Sequence, residues 1–357
     1  MPEQEYIAAL AADLEDALPL VWGRRLYSVF FGGGTPSLFS PQSIESILST
    51  VRARLPLAPD AEITLEANPG TVEAEKFRAF RAAGVNRLSI GIQSFNPRHL
   101  GALGRIHDAV EARCAIEIAK RNFDNINLDV MYGLPGQTSS EALSDIESAL
   151  AFEVSHVSAY HLTIEPNTLF HRYPPDLPEE DETAAMQIAL ETRLEQAGFQ
   201  HYETSAFARP TRKCRHNLNY WKFGDYLGIG AGAHSKLSFP DRIVRQMRYK
   251  QPRQFVESAA AGSSVQTEQE VGSNEVGFEF MMNALRLTRG FEVNLFAERA
   301  GLPLNAVLAE LEEAERRGLI VRDHLRVAPT ALGRRFLNDL LQIFLPGTAK
   351  AKRSGGA

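Results

Sequence analysis

The sequence predicts an α/β protein, a partial (β/α) barrel followed by a small C-terminal winged-helix-like domain. Short apolar, β-rich segments alternate with amphipathic helical ones from residue 26 to about 205, the pattern of parallel βα units around a buried sheet. From about Val271 the order changes to helix, helix, hairpin. A chain of 357 residues is long enough for one large domain and a smaller one.

Ile7, Leu10, Leu14 and Leu18 recur at helical spacing and predict a helix over 3–18. Leu26-Tyr27-Ser28-Val29-Phe30-Phe31 reads as a buried strand. It runs into Gly32-Gly33-Gly34-Thr35-Pro36-Ser37, after which Ser40 as N-cap and Pro41 at the first helical position open a helix through Ile44, Ile47, Leu48 and Val51. Ile63 and Leu65 predict a short strand ending in Glu66-Ala67-Asn68-Pro69-Gly70, and a helix over about 71–83 stops at Gly84. A strand is expected at 85–93. Asp108 and Glu111 are spaced for a capping box at the start of the next helix. Ile126, Leu128 and Val130 alternate in a strand that ends in Met131-Tyr132-Gly133-Leu134-Pro135-Gly136, and Thr138 with Glu141 forms a second capping box. A strand at 154–164, a Pro-rich linker at 173–178, a long helix at 180–197 and a last strand at 199–205 complete the series. It begins with a helix, so either the barrel starts atypically or its first strand, and the loop after it, is missing from this chain.

These elements assign residues 1–170 to the barrel, 171–270 to its completion, 271–345 to the C-terminal domain and 346–357 to a disordered Gly/Lys/Ser-rich tail. In the C-terminal part Phe278, Phe280, Met281, Leu285 and Leu287 mark one helix, 304–317 a second and 319–327 a hairpin, before a last helix ending near Phe344. Such domains often bind DNA, but Glu310, Glu312, Glu313 and Glu315 would repel phosphates, and a net charge of −6 gives no general attraction to nucleic acid. No nucleic-acid partner is expected. No apolar run is long enough to span a bilayer, and the acidic N-terminus lacks the basic and apolar regions of a signal peptide, so a cytoplasmic location is expected. The two cysteines, Cys114 and Cys214, are too far apart in sequence to read as a disulfide framework or a CxxC metal site. Cys114 falls in a helical pattern and is expected to be a buried, inert thiol.

Parallel β/α folds bind ligands at the carboxyl ends of their strands. Here those ends carry Gly32 through Thr35, Glu66, Gln93, and Asp129 with Tyr132. Three glycines free φ and let backbone groups approach a ligand. Alone such a loop reads equally as a tight turn, but polar residues at four successive strand ends favour a shared pocket. Arg105 adds a cation able to hold a carboxylate bidentately. The expected ligand carries an amine, a carboxylate and hydroxyls.

Gly32-Gly33-Gly34-Thr35-Pro36-Ser37, Glu66-Ala67-Asn68-Pro69, Gly91-Ile92-Gln93-Ser94-Phe95, Leu103-Gly104-Arg105-Ile106-His107, the segment from Asn127 to Gly136, and His216-Asn217-Leu218-Asn219-Tyr220-Trp221 together resemble the radical S-adenosylmethionine (SAM) proteins of the oxygen-independent coproporphyrinogen III oxidase group, over residues 3 to about 345. The haem-chaperone branch of that family is the more similar. The resemblance implies a radical SAM partial barrel in which Gly33, Gly34 and Thr35 meet the amino group of SAM, Glu66 and Arg105 its polar ends, and Gln93 and Asp129 its nucleoside half. It implies SAM and a [4Fe-4S] cluster as cofactors, haem as cargo, and haem-accepting proteins, membrane haemoproteins among them, as partners; a homodimer stays open. His216, Asn217, Tyr220 and Trp221 form the HNxxYW pattern that the resemblance associates with haem, with Cys214 as a second candidate iron ligand. A structural His-Asn turn with aromatic packing is the other reading. His234, at the end of the glycine-rich stretch from Phe223, is either a pocket or a loop histidine. The alternative activity is radical decarboxylation of coproporphyrinogen III in porphyrin biosynthesis. The family's CxxxCxxC loop after its first strand has no counterpart in these 357 residues, and thiolates are the usual cluster ligands. A missing N-terminal stretch, from a late start codon or an incomplete gene model, would account for the absence of both the loop and the strand, a natural cluster-free relative being the other reading, and a chain without them is expected to be inactive in SAM cleavage and impaired as a chaperone.

Overall fold

A computed structural model describes the chain at residues 2–71 and 74–346; from residue 347 on, the expected tail lies outside the described residues. The chain divides into two units, one formed by Arg25–Arg52 and Pro56–Lys213, the other by Met1–Arg24, Ala53–Leu55 and Cys214–Ala357.

The first unit holds a curled seven-stranded half-barrel. Its strands are β1 (Leu26–Phe31), β2 (Leu57–Ala67), β3 (Arg87–Gln93), β4 (Ile126–Tyr132), β5 (His156–His161), β6 (Gln200–Glu203) and β7 (Ala206–Ala208), in the order β1-β2-β3-β4-β5-β7-β6. β1 to β5 are parallel neighbours, as the alternation of elements predicts. Period-2 side-chain alternation gives this sheet two unlike faces. On one, Ile63, Leu65, Leu88, Ile90, Leu128, Val130 and Val157 are buried against apolar residues of the surrounding helices, including Ile44, Leu48, Phe77, Phe80, Ile116, Ile146 and Leu190. Phe77 meets Phe123 edge-on at 6.1 Å. Truncating one such fully buried side chain to Ala costs about 2–5 kcal/mol. The other face is polar and bears the site.

Both expected capping boxes form, Asp108 with Glu111 and Thr138 with Glu141. Gly84 ends its helix at φ 114°. Three expectations need correction. β2 is not a short strand: it begins at Leu57, because Leu26 pairs with Leu57 and Ser28 with Glu62, so an irregular bulge takes up Pro59 and Asp60, which do not look like strand residues. The last strand of the sheet is not a single parallel one. Residues 199–205 and their successors form the hairpin β6–β7, with β7 antiparallel to β5, since two intervening residues are too few for a crossover. Cys114 is exposed; the helix Ala109–Asn122 buries Ala112, Ala115, Ile116 and Ala119 instead.

In the second unit the helix Glu3–Ala17 packs against the helix Pro252–Ala260 through Tyr6, Ala9, Phe255 and Ala259. A three-stranded antiparallel sheet joins them, β8 (His234–Ser238), β9 (Ile243–Arg248) and β10 (Val265–Glu270), whose strands the sequence reading left undelineated. Buried Asp13 accepts from Arg248 Nε at 3.2 Å, Ser264 Oγ at 2.6 Å and the Gly230 amide at 2.9 Å. Removing one partner of such a buried pair costs about 3–5 kcal/mol. Buried Lys236 donates at 3.0 Å to the Phe223 carbonyl, Asp225 Oδ1 and Ser238 Oγ, with Nζ 4.0 Å from the Phe223 ring centroid. The C-terminal part packs the helices Val276–Ala284, Val293–Ala300 and Leu308–Arg316 with the strands β11 (Phe291–Glu292), β12 (Ile320–Arg322) and β13 (Arg326–Pro329) around Phe280, Phe291, Phe296 and Leu311. The β12–β13 turn is closed by Asp323, whose Oδ1 accepts from the Leu325 and Arg326 amides at 2.7 and 2.8 Å.

Candidate functional site

The polar face of the half-barrel carries Glu62, Thr64 and Glu66 on β2, Arg87, Ser89 and Gly91 on β3, Asn127 and Asp129 on β4, and His156 and Ser158 on β5. The register aligns them in rows: Glu66 beside Ser89, Ser89 beside Asn127 beside His156, and Gly91 beside Asp129 beside Ser158.

The glycine loop takes up the conformation that its sequence permits. Gly33 and Gly34 have φ of 80° and 63°, and a Cβ at either would meet nothing within 4 Å, so the loop backbone is open to a ligand. The Gly33 amide donates to Glu66 Oε2 at 3.1 Å, and Asn68 Nδ2 donates to Thr35 Oγ1 at 3.1 Å. Burial, opposed by the Gly33 amide and reinforced by the negative charge of Asp129, raises the Glu66 pKa. β3 ends in a bulge: Gly91 pairs with Asp129 and Gln93 with Val130. This turns Gln93 to φ 67°, a left-handed conformation that a non-glycine residue holds only when its surroundings fix it. The Gln93 amide folds back over Gly91, where a Cβ would stand 2.9 Å from Gln93 Nε2 and 3.2 Å from Asn68 Oδ1. The bulge is secured by His107, whose Nε2 donates to the Ile92 carbonyl at 3.2 Å. Burial lowers the pKa of His107 and, against the attraction of Asp129, that of Arg105.

Asp129 Oδ1 accepts from Asn127 Nδ2 at 2.8 Å and Oδ2 from Ser89 Oγ at 3.0 Å. Burial raises its pKa against these donors and the Arg87 charge. Two carboxyl groups, one guanidinium, one amide and an open glycine backbone thus share one end of the sheet, a set complementary to a zwitterion bearing polar hydroxyls.

The structure brings Gly33, Gly34, Thr35, Glu66, Gln93, Arg105 and Asp129 into the first unit, on adjacent strand ends and the loop before the helix Ala109–Asn122. His216, Asn217, Tyr220 and Trp221 lie in the second unit on the short helix Arg215–Trp221, with Cys214 at its N-cap. The His216 ring meets Tyr220 edge-on at 4.8 Å, and Tyr220 stacks on Tyr226 at 4.2 Å. Burial pushes the Tyr220 hydroxyl up to about 12. Arg245 Nη1 donates to Tyr226 Oη at 2.6 Å and also pairs with Glu279. Arg286 lies 4.6 Å over the Trp221 ring. Cys214 is fully buried and its thiol donates to Asn217 Oδ1 at 3.4 Å.

Reading only strand ends missed Ser89 and Ser158, level with Glu66 and Asp129 on the same face, Asn127 and His156 one row deeper than Asp129, and Asn68 just beyond β2. The signal was present: Glu62-Ile63-Thr64-Leu65-Glu66 and Asn127-Leu128-Asp129-Val130 alternate polar and apolar residues, a half-polar sheet face and not a fully apolar one.

The radical SAM superfamily model matches residues 8–149, and the HemN C-terminal domain model matches 273–336. Proteins named heme chaperone HemW are 44% identical in Escherichia coli (strain K12) and in Haemophilus influenzae, each match covering 97% of this chain and 91% of the relative. The chain belongs to the HemW-like family of radical SAM proteins. A Mycobacterium tuberculosis relative of the same name is 35% identical over 87% of this chain and 77% of its own length. Among solved structures, the E. coli coproporphyrinogen III oxidase HemN superposes with a TM-score of 0.80 over 96% of this chain and 83% of that one, at 21% identity, which establishes a shared fold.

The family implies SAM and a [4Fe-4S] cluster. The strand-end residues fit SAM, with an open glycine backbone for its amine end and a guanidinium for its carboxylate. A cluster does not fit the residues present: Cys114 is exposed on one unit, Cys214 is buried in the other, and the described residues contain no group of three His, Cys, Asp or Glu able to hold a metal ion. No described helix is long and apolar enough to cross a membrane.

Proposed function

We propose that this protein is a haem chaperone that binds haem through the His216 helix, binds SAM at the carboxyl ends of β1 to β4, and delivers haem to acceptor haemoproteins. The full-length identity to relatives named heme chaperones carries the reading. In it, the loop at Gly33, Gly34 and Thr35 receives the amino group of SAM, Arg105 its carboxylate, and Gln93 and Asp129 its nucleoside half, while Glu66 holds the Gly33 amide in place. Bound SAM supplies a reactive sulfonium centre. Neutral imidazole is a suitable axial ligand to haem iron, and His216 stands on an aromatic wall of Tyr220 and Tyr226. With no thiolate set for a cluster, the 357-residue chain does not cleave SAM reductively, and its chaperone activity is impaired.

Haem titration followed at the Soret band tests the first half. The wild type should shift the band on binding, and His216→Ala should lose the shift; a wild type without one overturns the haem reading, and an unchanged variant overturns the role given to His216. Formation of 5′-deoxyadenosine under anaerobic reducing conditions would overturn the claim of inactivity.

A further inference from the structure

Behind Asp129 the polar face of the sheet continues into a directed hydrogen-bond chain. Asn127 Nδ2 donates to Asp129 Oδ1 and, at 2.8 Å, to Ser89 Oγ. Its carbonyl oxygen accepts from Ser158 Oγ at 3.0 Å and lies 2.6 Å from His156 Nδ1. A carbonyl oxygen only accepts, so His156 Nδ1 carries the proton. The other ring nitrogen, Nε2, lies 2.9 Å from Tyr202 Oη. His156 is fully buried, and burial with the nearby Arg87 charge keeps it neutral, so Nε2 accepts from the Tyr202 hydroxyl. The chain therefore runs one way, from Tyr202 through His156 and Asn127 to Asp129.

The hydroxyls of Ser89 and Ser158 can turn to suit either orientation of the Asn127 amide. His156 and Asp129 cannot both do so. A flipped Asn127 would set its oxygen against the Asp129 carboxylate and require the other tautomer of His156. We infer that His156 is a positioning residue for the SAM site: its Nδ1–H fixes the Asn127 amide, which holds the Asp129 carboxylate in one orientation with its remaining lone pairs presented to the ligand. The inference rests on Asp129 contacting SAM as proposed above, and it adds His156 on the neighbouring strand β5 and Tyr202 on β6, which the motifs do not include.

Two measurements test it. The first is the affinity of the whole chain for S-adenosylhomocysteine, by calorimetry. Residues behind a metal ligand typically contribute 10–100-fold; at the low end of that scale His156→Phe should weaken binding about tenfold. His156→Asn, which keeps a donor at the Nδ1 position, should stay within about threefold of wild type. The second needs no ligand: the titration of the Asp129 carboxyl, read by carbon-13 NMR. Asp129 is also faced by Glu66 from β2, Arg87 from β3 and Arg105 from the loop before the helix Ala109–Asn122, and none of these changes in the variants. With the Asn127 donor no longer held, His156→Phe should titrate at higher pH than wild type and His156→Asn should not. If His156→Phe fails to fold, Tyr202→Phe carries the test through a smaller rise of the same sign. An unmoved Asp129 titration overturns the inference, as does equal weakening by His156→Phe and His156→Asn. If Asp129→Ala binds S-adenosylhomocysteine like wild type, the SAM reading fails instead, and the carboxyl titration still decides the role of His156.

Discussion

Asp145 holds the backbone of Phe95: Oδ1 accepts from the Phe95 amide at 2.7 Å, and Oδ2 accepts from the Ser94 hydroxyl at 2.7 Å. Both partners directly follow Gln93, whose left-handed backbone needs such a restraint. A buried helix residue therefore fixes the exit of β3, and with it the direction of the Gln93 amide. Asp145→Ala leaves two buried donors unsatisfied at about 1–3 kcal/mol each. It should lower stability by about 2–6 kcal/mol in urea denaturation and weaken S-adenosylhomocysteine binding; Asp145→Asn, which can still accept from Phe95, should lose less of both.

Gly91 makes room for the same side chain. Gly91→Ala places a methyl group within 2.9 Å of Gln93 Nε2 and should expel the amide from the site. Binding is expected to fall about tenfold or more with little loss of melting temperature, since the clash is with a side-chain end. Calorimetry beside thermal melting checks the split, and wild-type affinity in this variant would remove Gln93 from the site.

His156 makes folding sensitive to mild acid. Its folded pKa lies well below its ordinary 6.5, so below pH 6.5 the unfolded chain takes up a proton that the folded chain refuses. Stability is present above that pH and is lost as pH falls, by about 1.4 kcal/mol per pH unit for one proton. His107 and His161, also lowered by burial, act with the same sign. Urea midpoints between pH 7.5 and 5.5 should fall in the wild type and fall less steeply in His156→Asn.

Glu141 acts at lower pH. The Thr138 amide donates to Glu141 Oε2 at 2.9 Å, and Arg98 Nη2 donates to Oε1 at 2.7 Å. The Thr138 amide first, with the Thr138 hydroxyl, Arg98 and His99, depresses its pKa from 4.5 to about 2. The stability this contributes is complete above about pH 4.5 and is lost as pH falls toward 2. Glu141→Gln should be less stable than wild type at pH 6 and converge with it near pH 2 in an acid-unfolding series.

Much of this was legible in the sequence because local chemistry decided it. The capping boxes at Asp108 and Thr138, the stop at Gly84 and the parallel order of β1 to β5 depend on short-range spacing and on the alternation of elements. The cluster of polar residues at the strand ends followed from one rule of parallel sheets. What stayed hidden depends on partners distant in the chain. The first half of β2, with Pro59 and Asp60, is a strand only because β1 lies beside it, and the reversal at β6–β7 depends on β5 being available. Asn127 and His156 look like ordinary polar residues until the register sets them side by side. Cys114 misled because a helical pattern does not by itself say which face is covered.

Lys236 gives the second unit a built-in chemical reporter. Its ammonium group, on β8, is enclosed by Ser238 and by the Phe223 carbonyl and ring and Asp225, which follow closely on the His216 helix. Amine-labelling reagents need a free, accessible lone pair, so this lysine should remain unmodified while exposed lysines react. The rate at which its mass tag appears then clocks the opening of the segment that carries His216, without any reference to haem.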